Sequence, residues 1–301
     1  MTLLWPDGVV SKVTTRMKYV CGNWSRRLLG SNKNFPTALV AHSDLEILRM
    51  ALRAHLHQPA IGLWRATEFI MLRDLDFPSP VLDFGCGNGE VARSVLRSHW
   101  PIDGLELVAA EARVASTSDT YRYVMQGSGV QAPVTSDVYG AVYSHSVLEH
   151  IPDDLGAIRE VARVLRPGGR FVFTVPAPAF ASRIMREHGN ETLEMVNRRL
   201  GHYHYRSIDE WTECLDNVGL DVVMVRGHLP AATQRVWLSL DTLMVRRFRG
   251  RRVLDWIRGL RRRGLIPDAL WIALWSGLLW RSFKRPVDDP GGYLIVAQRR
   301  L

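Results

Sequence analysis

The run Asp83-Phe-Gly-Cys-Gly-Asn-Gly89 sets one carboxylate ahead of three glycines at alternate positions. Glycine lets backbone N–H groups approach a bound group closely, and a carboxylate closing a buried strand can anchor such a turn. Val81 and Leu82 read as the end of a parallel strand and Glu90 as the start of a helix, so the glycines fill the connection between them. A dinucleotide fingerprint needs its third small residue where Glu90 stands, which argues against a nicotinamide cofactor. A second set of reactive groups is imidazoles: His150 in Leu148-Glu-His150, and His202 and His204 in Gly201-His-Tyr-His-Tyr-Arg206. Imidazole titrates near neutral pH and can take a proton from a hydroxyl. An extended run would aim His202 and His204 to one side. No metal is expected, because His202 and His204 lack a neighbouring carboxylate set in the sequence and Cys21, Cys86 and Cys214 have no metal spacing.

The run from Asp83 to Gly89 resembles the first motif of the class I methyltransferases that use S-adenosylmethionine, of the small-molecule, Methyltransferase-11-like type, and the likeness extends from about Trp64 to Leu229. Three further pieces follow in the order of that family: Gly104-Leu-Glu-Leu107, Tyr143-Ser-His-Ser-Val-Leu-Glu-His-Ile-Pro152, and Glu160 to Val175 with its Arg-Pro-Gly-Gly turn. The resemblance implies S-adenosylmethionine as cofactor. It implies that Gly85, Cys86, Gly87 and Gly89 cup the methionine and ribose portions through backbone groups, while Asp83 anchors the turn and accepts from the cofactor's amino group. Glu106, with Leu107 beside it, would meet the ribose; it lies 23 residues after Asp83 (106 − 83), near the separation at which an acid reaches ribose hydroxyls in dinucleotide folds. Ser128 stands where relatives commonly carry an acid for the adenine amino group. Ser144 and His145, at the tip of the fourth strand, are expected close to the cofactor. For the general base, His202 or His204 is preferred to His150, whose Leu-Glu-His element is often a structural contact in relatives.

These groups need a scaffold, and the chain supplies strand and helix in alternation from Ile61 onward, the pattern of a parallel sheet with helices on both faces. Strands are expected near 80–84, 102–106, 121–125, 137–144, 170–175 and 221–225, with a last one over Gly292–Gln298. The expected fold is therefore α/β: a Rossmann-like, seven-stranded, mostly parallel sheet, with an N-terminal helical extension (1–60), a core (61–230), a helical insertion (231–285) and the last strand of the core (286–301). By resemblance that strand runs antiparallel between the fifth and sixth, so the insertion projects from the sheet edge. In the extension, residues 44–53 have helical spacing with Ser43 or Asp44 as cap.

The net charge of +9 is concentrated in the insertion. Residues 231–285 hold 13 Lys+Arg against 3 Asp+Glu, which leaves the rest of the chain at −1, and they hold five of the 10 tryptophans. Two or three helices are expected there, one running from Ala269 to Phe283 with Asp268 as its cap. In that helix Trp271, Leu274, Trp275 and Leu278 share a face, while Ile272, Leu279 and Trp280 leave little of the other face polar. Arginines flanking such a helix suit anionic head groups, with tryptophans at the interface depth; packing on the sheet or on a second subunit is the alternative. The odd, scattered cysteines and the absence of a secretory pattern point to a cytoplasmic protein, peripheral at the inner membrane face. The function expected is methyl transfer to a small-molecule, glycan or lipid-linked acceptor, at oxygen. The alternatives are an RNA methyltransferase, against which stands the lack of an Asn-Pro-Pro-Tyr type motif, and a cofactor-binding assembly protein without turnover.

Overall fold

Short apolar runs between turns build the sheet of this protein, whose computed structural model describes residues 42–96, 101–248, 250–285 and 287–301. The earlier part of the N-terminal extension, with Cys21, lies outside the described residues. The strands are β1 (Val81–Phe84), β2 (Ile102–Glu106), β3 (Tyr123–Gln126), β4 (Tyr139–His145), β5 (Leu165–Pro176), β6 (Leu220–His228) and β7 (Gly292–Arg299). Their order is β3-β2-β1-β4-β5-β7-β6. β1 to β5 pair in parallel, and β7 runs antiparallel to both β5 and β6. The third strand starts two residues later than the sequence pattern indicates, because Tyr121 and Arg122 turn aside to bond Asp83 and Asp103. The fifth starts earlier, since Leu165 already pairs with Tyr139 ahead of a register shift.

Side chains alternate across each strand, and both faces of the sheet are covered, as a parallel sheet requires. Val81, Tyr143, Val172 and Leu294 face a layer containing α1 (Asp44–Ala54) and α2 (Pro59–Leu72). Leu82, Val142, Phe171 and Ile295 face α5 (Asp154–Val164) and α8 (Ile208–Asp216), where Trp211 packs on Phe173. Two short helices, α3 (Glu90–Val95) and α4 (Ala109–Ser116), follow β1 and β2. Ser43, not Asp44, caps α1: its hydroxyl accepts from Glu46 N, and the Glu46 carboxylate accepts from Ser43 N at 2.7 Å. Asp44 instead pairs with Arg73 and Lys284.

A hairpin of α6 (Pro178–His188) and α7 (Asn190–Leu200) stands between β5 and α8, a pair of helices the sequence pattern did not mark out. The insertion forms α9 (Ala231–Val245), two short arms (Arg247–Phe248 and Arg251–Arg252), α10 (Val253–Arg262) and α11 (Asp268–Phe283). It does not stand free of the sheet edge as expected, for α9 packs on α2 and α11 on α1. Buried Arg183 of α6 ties the two additions together, bonding Gln234 of α9 and the main-chain carbonyl of Asp289. Asp268 is the first residue of α11 rather than its cap; its carboxylate is taken by Arg261, and Pro267 fills the cap position without a side-chain bond. The buried face of α11 is Ile272, Ser276, Leu279 and Phe283, with Trp271 and Trp275 at its margin. Leu274 and Leu278 face outward, so of the four residues that share a helical face only Trp271 and Trp275 are half-buried. No described helix is long and apolar enough to cross a membrane.

Candidate active site

The glycine turn is crowded from below and open above. Gly85 N and Cys86 N both donate to Leu105 O of β2, at 2.8 and 3.0 Å. A Cβ at Gly85 would stand 2.6 Å from Val147, and one at Gly89 2.7 Å from the Tyr121 ring. Both residues also have left-handed φ, +79° and +83°, which favours glycine. A Cβ at Gly87 would meet nothing within 4 Å. The Cys86 thiol is buried, and a Cβ on Gly104 would lie 2.8 Å from its sulfur, so what Cys86 offers a ligand is its backbone. Burial, then the nearby carboxylates, raises the thiol's pKa.

Two carboxylates flank this turn and differ in environment. Glu106 Oε2 accepts from Gly87 N at 2.9 Å and Oε1 from Val108 N at 2.8 Å, which binds the glycine turn to the start of α4. Each oxygen keeps a further acceptor site. Asp83 is buried and accepts from Tyr121 OH at 2.6 Å. Burial pushes its pKa up to about 7, against the lowering effect of that bond. Leu107 is exposed beside Glu106. Ser128 lies on the loop after β3, its hydroxyl accepting from Val130 N at 3.3 Å.

Ser144 and His145 end β4 and, by strand alternation, point to opposite faces. Ser144 Oγ is buried without a partner. His145 turns toward α2, its Nε2 3.0 Å from Glu68 Oε2, and burial lowers its pKa against the pull of that carboxylate. Glu68 is fully buried, with Arg65 Nη1 at 2.8 Å and Ser146 Oγ donating at 3.0 Å. Burial works against its charge, but Arg65 and His145 outweigh that and hold its pKa well below the carboxylate range. His228 Nδ1 lies 3.3 Å from Thr67 Oγ1, and burial takes its pKa down to about 4. Sequence reasoning missed this cluster; its signal is Arg65 and Glu68, a charged pair three residues apart on the otherwise apolar α2. A cleft of about 210 Å3 reaches Thr67 and His228 from Phe283 and Lys284 at the end of α11.

The histidine runs meet at the 3-10 turn Leu148–His150, where Tyr203 N donates to Glu149 O at 2.8 Å. His150 Nδ1 lies 3.1 Å from Gly201 O. A carbonyl only accepts, so Nδ1 carries the proton and Nε2 is bare. His202 Nδ1 meets Tyr205 OH at 2.9 Å, and that hydroxyl donates to Asn197 Oδ1 at 2.6 Å, so the His202 Nε2 is bare as well. The two rings are 5.2 Å apart. Burial lowers the pKa of His150, and burial followed by His150 takes His202 down to about 3. Both are neutral at pH 7. His204 has other neighbours: its Nε2 bonds Ile151 O and Pro152 O at 3.1 and 3.2 Å, so it does not share the aim of His202. Glu149 is buried, its pKa raised by burial to about 8, with Oε2 unpartnered. Among the described residues, Glu149, His150 and His202 are the group whose ligand atoms, all within 4.8 Å of one another, could hold a cation. Glu149 and His150 are adjacent in sequence, and the fold brings them to His202, which has no carboxylate near it along the chain. Trp64, Phe180 and Trp237 wall this side, with ring centroids 5.1 to 5.4 Å apart.

Residues 54–225 match a family model described as a methyltransferase domain. The chain belongs to that methyltransferase family. Ubiquinone biosynthesis O-methyltransferase of Aliivibrio fischeri (strain MJ11) is 29% identical over 151 residues, covering 48% of this chain and 64% of that protein. The enzyme of the same description from Vibrio parahaemolyticus is 27% identical over 179 residues, 57% of this chain and 75% of that one. This methyltransferase-family chain thus spans just under two thirds of the Aliivibrio relative. Among solved structures, geranyl diphosphate C-methyltransferase from Streptomyces coelicolor A3(2) superposes with a TM-score of 0.52 at 16% identity, covering 80% of this chain and 79% of that one. A chain from the complex of the Haloferax volcanii Trm112 methyltransferase activator with a methyltransferase gives 0.51 at 18% identity, covering 84% and 98%. These structural likenesses concern the fold: the seven-stranded sheet flanked by helices.

Proposed function

We propose that the protein is an S-adenosylmethionine-dependent methyltransferase acting on an oxygen of a small-molecule, glycan or lipid-linked acceptor, on the cytoplasmic side of a membrane. The observation that carries this reading is Glu106, whose carboxylate holds the open Gly87 while keeping an acceptor site on each oxygen. The residues fit the cofactor. Asp83, a buried carboxyl with no cation beside it and a pKa near 7, suits an ammonium. Glu106 suits two hydroxyls of a ribose, Leu107 an apolar ring, and Ser128 a base edge.

When bound, S-adenosylmethionine supplies an electrophilic methyl group on a cationic sulfur. The chain has to align the acceptor, keep water out and remove one proton, and alignment alone is worth roughly 7–11 kcal/mol in favourable cases. Trp64, Phe180 and Trp237 form a dry wall beside the imidazoles. His150 is the better proton acceptor of the pair, since His202, at about 3, is too weak a base. The Gly201 carbonyl orients it through Nδ1, His202 packs beside it, and His204, engaged with two carbonyls, stays out of the step. The oxygen chemistry is supported by the curated relatives, both of them O-methyltransferases.

Isothermal calorimetry with S-adenosylmethionine, its demethylated product and a nicotinamide dinucleotide tests the cofactor. Heat with the dinucleotide alone would sink the reading. Transfer of labelled methyl into a fractionated lipid and small-molecule extract, followed by mass spectrometry of the product, tests the acceptor class.

A further inference from the structure

Helix α11 buries Ile272, Ser276, Leu279 and Phe283. A helix seated on a globular domain ordinarily turns a polar face to water. The outward face of α11 carries Leu270, Ala273, Leu274, Gly277 and Leu278 instead, and the three leucines are 67%, 54% and 61% exposed. No charged residue occurs from Ala269 to Trp280, and Leu265 on the preceding loop is exposed too. The leucine stripe from Leu270 to Leu278 runs about 12 Å, eight helical steps of about 1.5 Å each. Cations bracket it: Arg262 and Arg263 before, Arg281 and Arg285 after, all exposed. Among the described residues none of these four has an ion pair; the carboxylates nearby are taken by Arg252, Arg258, Arg261 and Lys284.

We propose that this face of α11 is the surface on which the protein lies in the plane of an anionic lipid membrane, its leucines in the acyl boundary and the four arginines on lipid phosphates. The pairing of an apolar stripe with unpaired cations at both ends matches an interfacial helix. Trp271, Trp275 and Trp280 sit half-buried along the margins, where indoles favour the head-group layer. A nucleic acid would meet the arginines but leave the leucines in water. A second copy docked face to face would repeat the same cationic patch across the interface and set like charges together. The surface stands independently of the proposed chemistry; only its consequence, that the acceptor is drawn from the lipid, rests on that reading.

The test is flotation of the full chain with vesicles of phosphatidylcholine alone or mixed with phosphatidylglycerol. Flotation with the mixed vesicles is expected, weaker by at least about tenfold on phosphatidylcholine alone or at high salt. The combined variant Leu270→Asp, Leu274→Asp, Leu278→Asp is expected to lose at least about tenfold of that binding, while Arg262→Glu with Arg263→Glu weakens it on anionic vesicles only. Bromine-labelled lipid is expected to quench tryptophan fluorescence of the parent protein, a readout that needs no variant. S-adenosylmethionine affinity, measured alongside, should be equal in all variants; its absence in every protein would refute the proposed function and leave the surface untouched. The inference is overturned if the parent does not float with anionic vesicles, or if the leucine variant floats as well as the parent. A parent that is dimeric and lipid-indifferent, with the leucine variant monomeric, or one that binds an RNA homopolymer in preference to vesicles, overturns it too.

Discussion

Asp83→Asn keeps the shape of the side chain and the acceptor for Tyr121 while removing the charge. In the free protein the Asp83 carboxyl has a pKa of about 7, against an ordinary 3.8. A raised carboxyl pKa means the folded state holds the proton where the unfolded chain has lost it, so this group's contribution falls as pH rises from about 4 to about 7. Above both values the ionised carboxylate costs the fold about 4 kcal/mol, roughly three units at about 1.4 kcal/mol each. The variant escapes that loss. Its margin over the parent should grow by up to about 1.4 kcal/mol per pH unit across the window, as read by urea unfolding at a series of pH values. Cofactor binding should respond in the opposite sense, because the variant lacks a counter-ion for the ammonium. At about pH 6 the free carboxyl is roughly nine-tenths protonated, so S-adenosylmethionine should displace close to one proton from the parent and none from the variant. Calorimetry in buffers of different ionisation enthalpy measures this. Parallel stability profiles, or equal proton release by the two proteins, would refute the account of Asp83.

Glu106→Ala is expected to weaken S-adenosylmethionine binding at least tenfold, about 1.4 kcal/mol, by calorimetry. Gly89→Ala should cost about 1–2 kcal/mol from its left-handed φ alone, and more from the collision with Tyr121, seen as a lower denaturation midpoint. His150→Gln should lower kcat by roughly a hundredfold or more while leaving cofactor affinity unchanged, whereas His204→Gln should leave kcat within a few-fold. His228, with a folded pKa of about 4, is neutral where the unfolded chain already binds a proton, so stability from this group is lost as pH falls from about 6.5 to about 4. His228→Gln should therefore lose less stability than the parent over that window in unfolding curves.

The sheet and the glycine turn were legible because buried strands leave uninterrupted apolar runs, and because the turn's three positions near one acid have few other uses. Less legible were contacts that only the fold creates. Tyr121 reaches Asp83 and backs Gly89 across 38 residues of chain, and Ser146 meets Glu68 across 78. The expectation that His202 and His204 aim together assumed strand alternation, but residues 202–206 form no strand. Which side of α11 faces inward was not legible for another reason: from Ala269 to Trp280 nearly every residue is apolar, so the pattern has a period but no phase. The sequence does not show that burial weakens His202 as a base, a property set by Phe180, Tyr205 and His150.

Helix α2 touches both halves of this molecule: Arg65 and Glu68 bind Ser146 at the end of β4, while Trp64 packs on Trp237 of the insertion. Because it contacts both, transplanting the arginine-rich module onto another core of this architecture would require carrying residues 59–72 along with it. A chimera built from the module alone would leave Trp237 facing a foreign helix and would lose its alignment with the sheet.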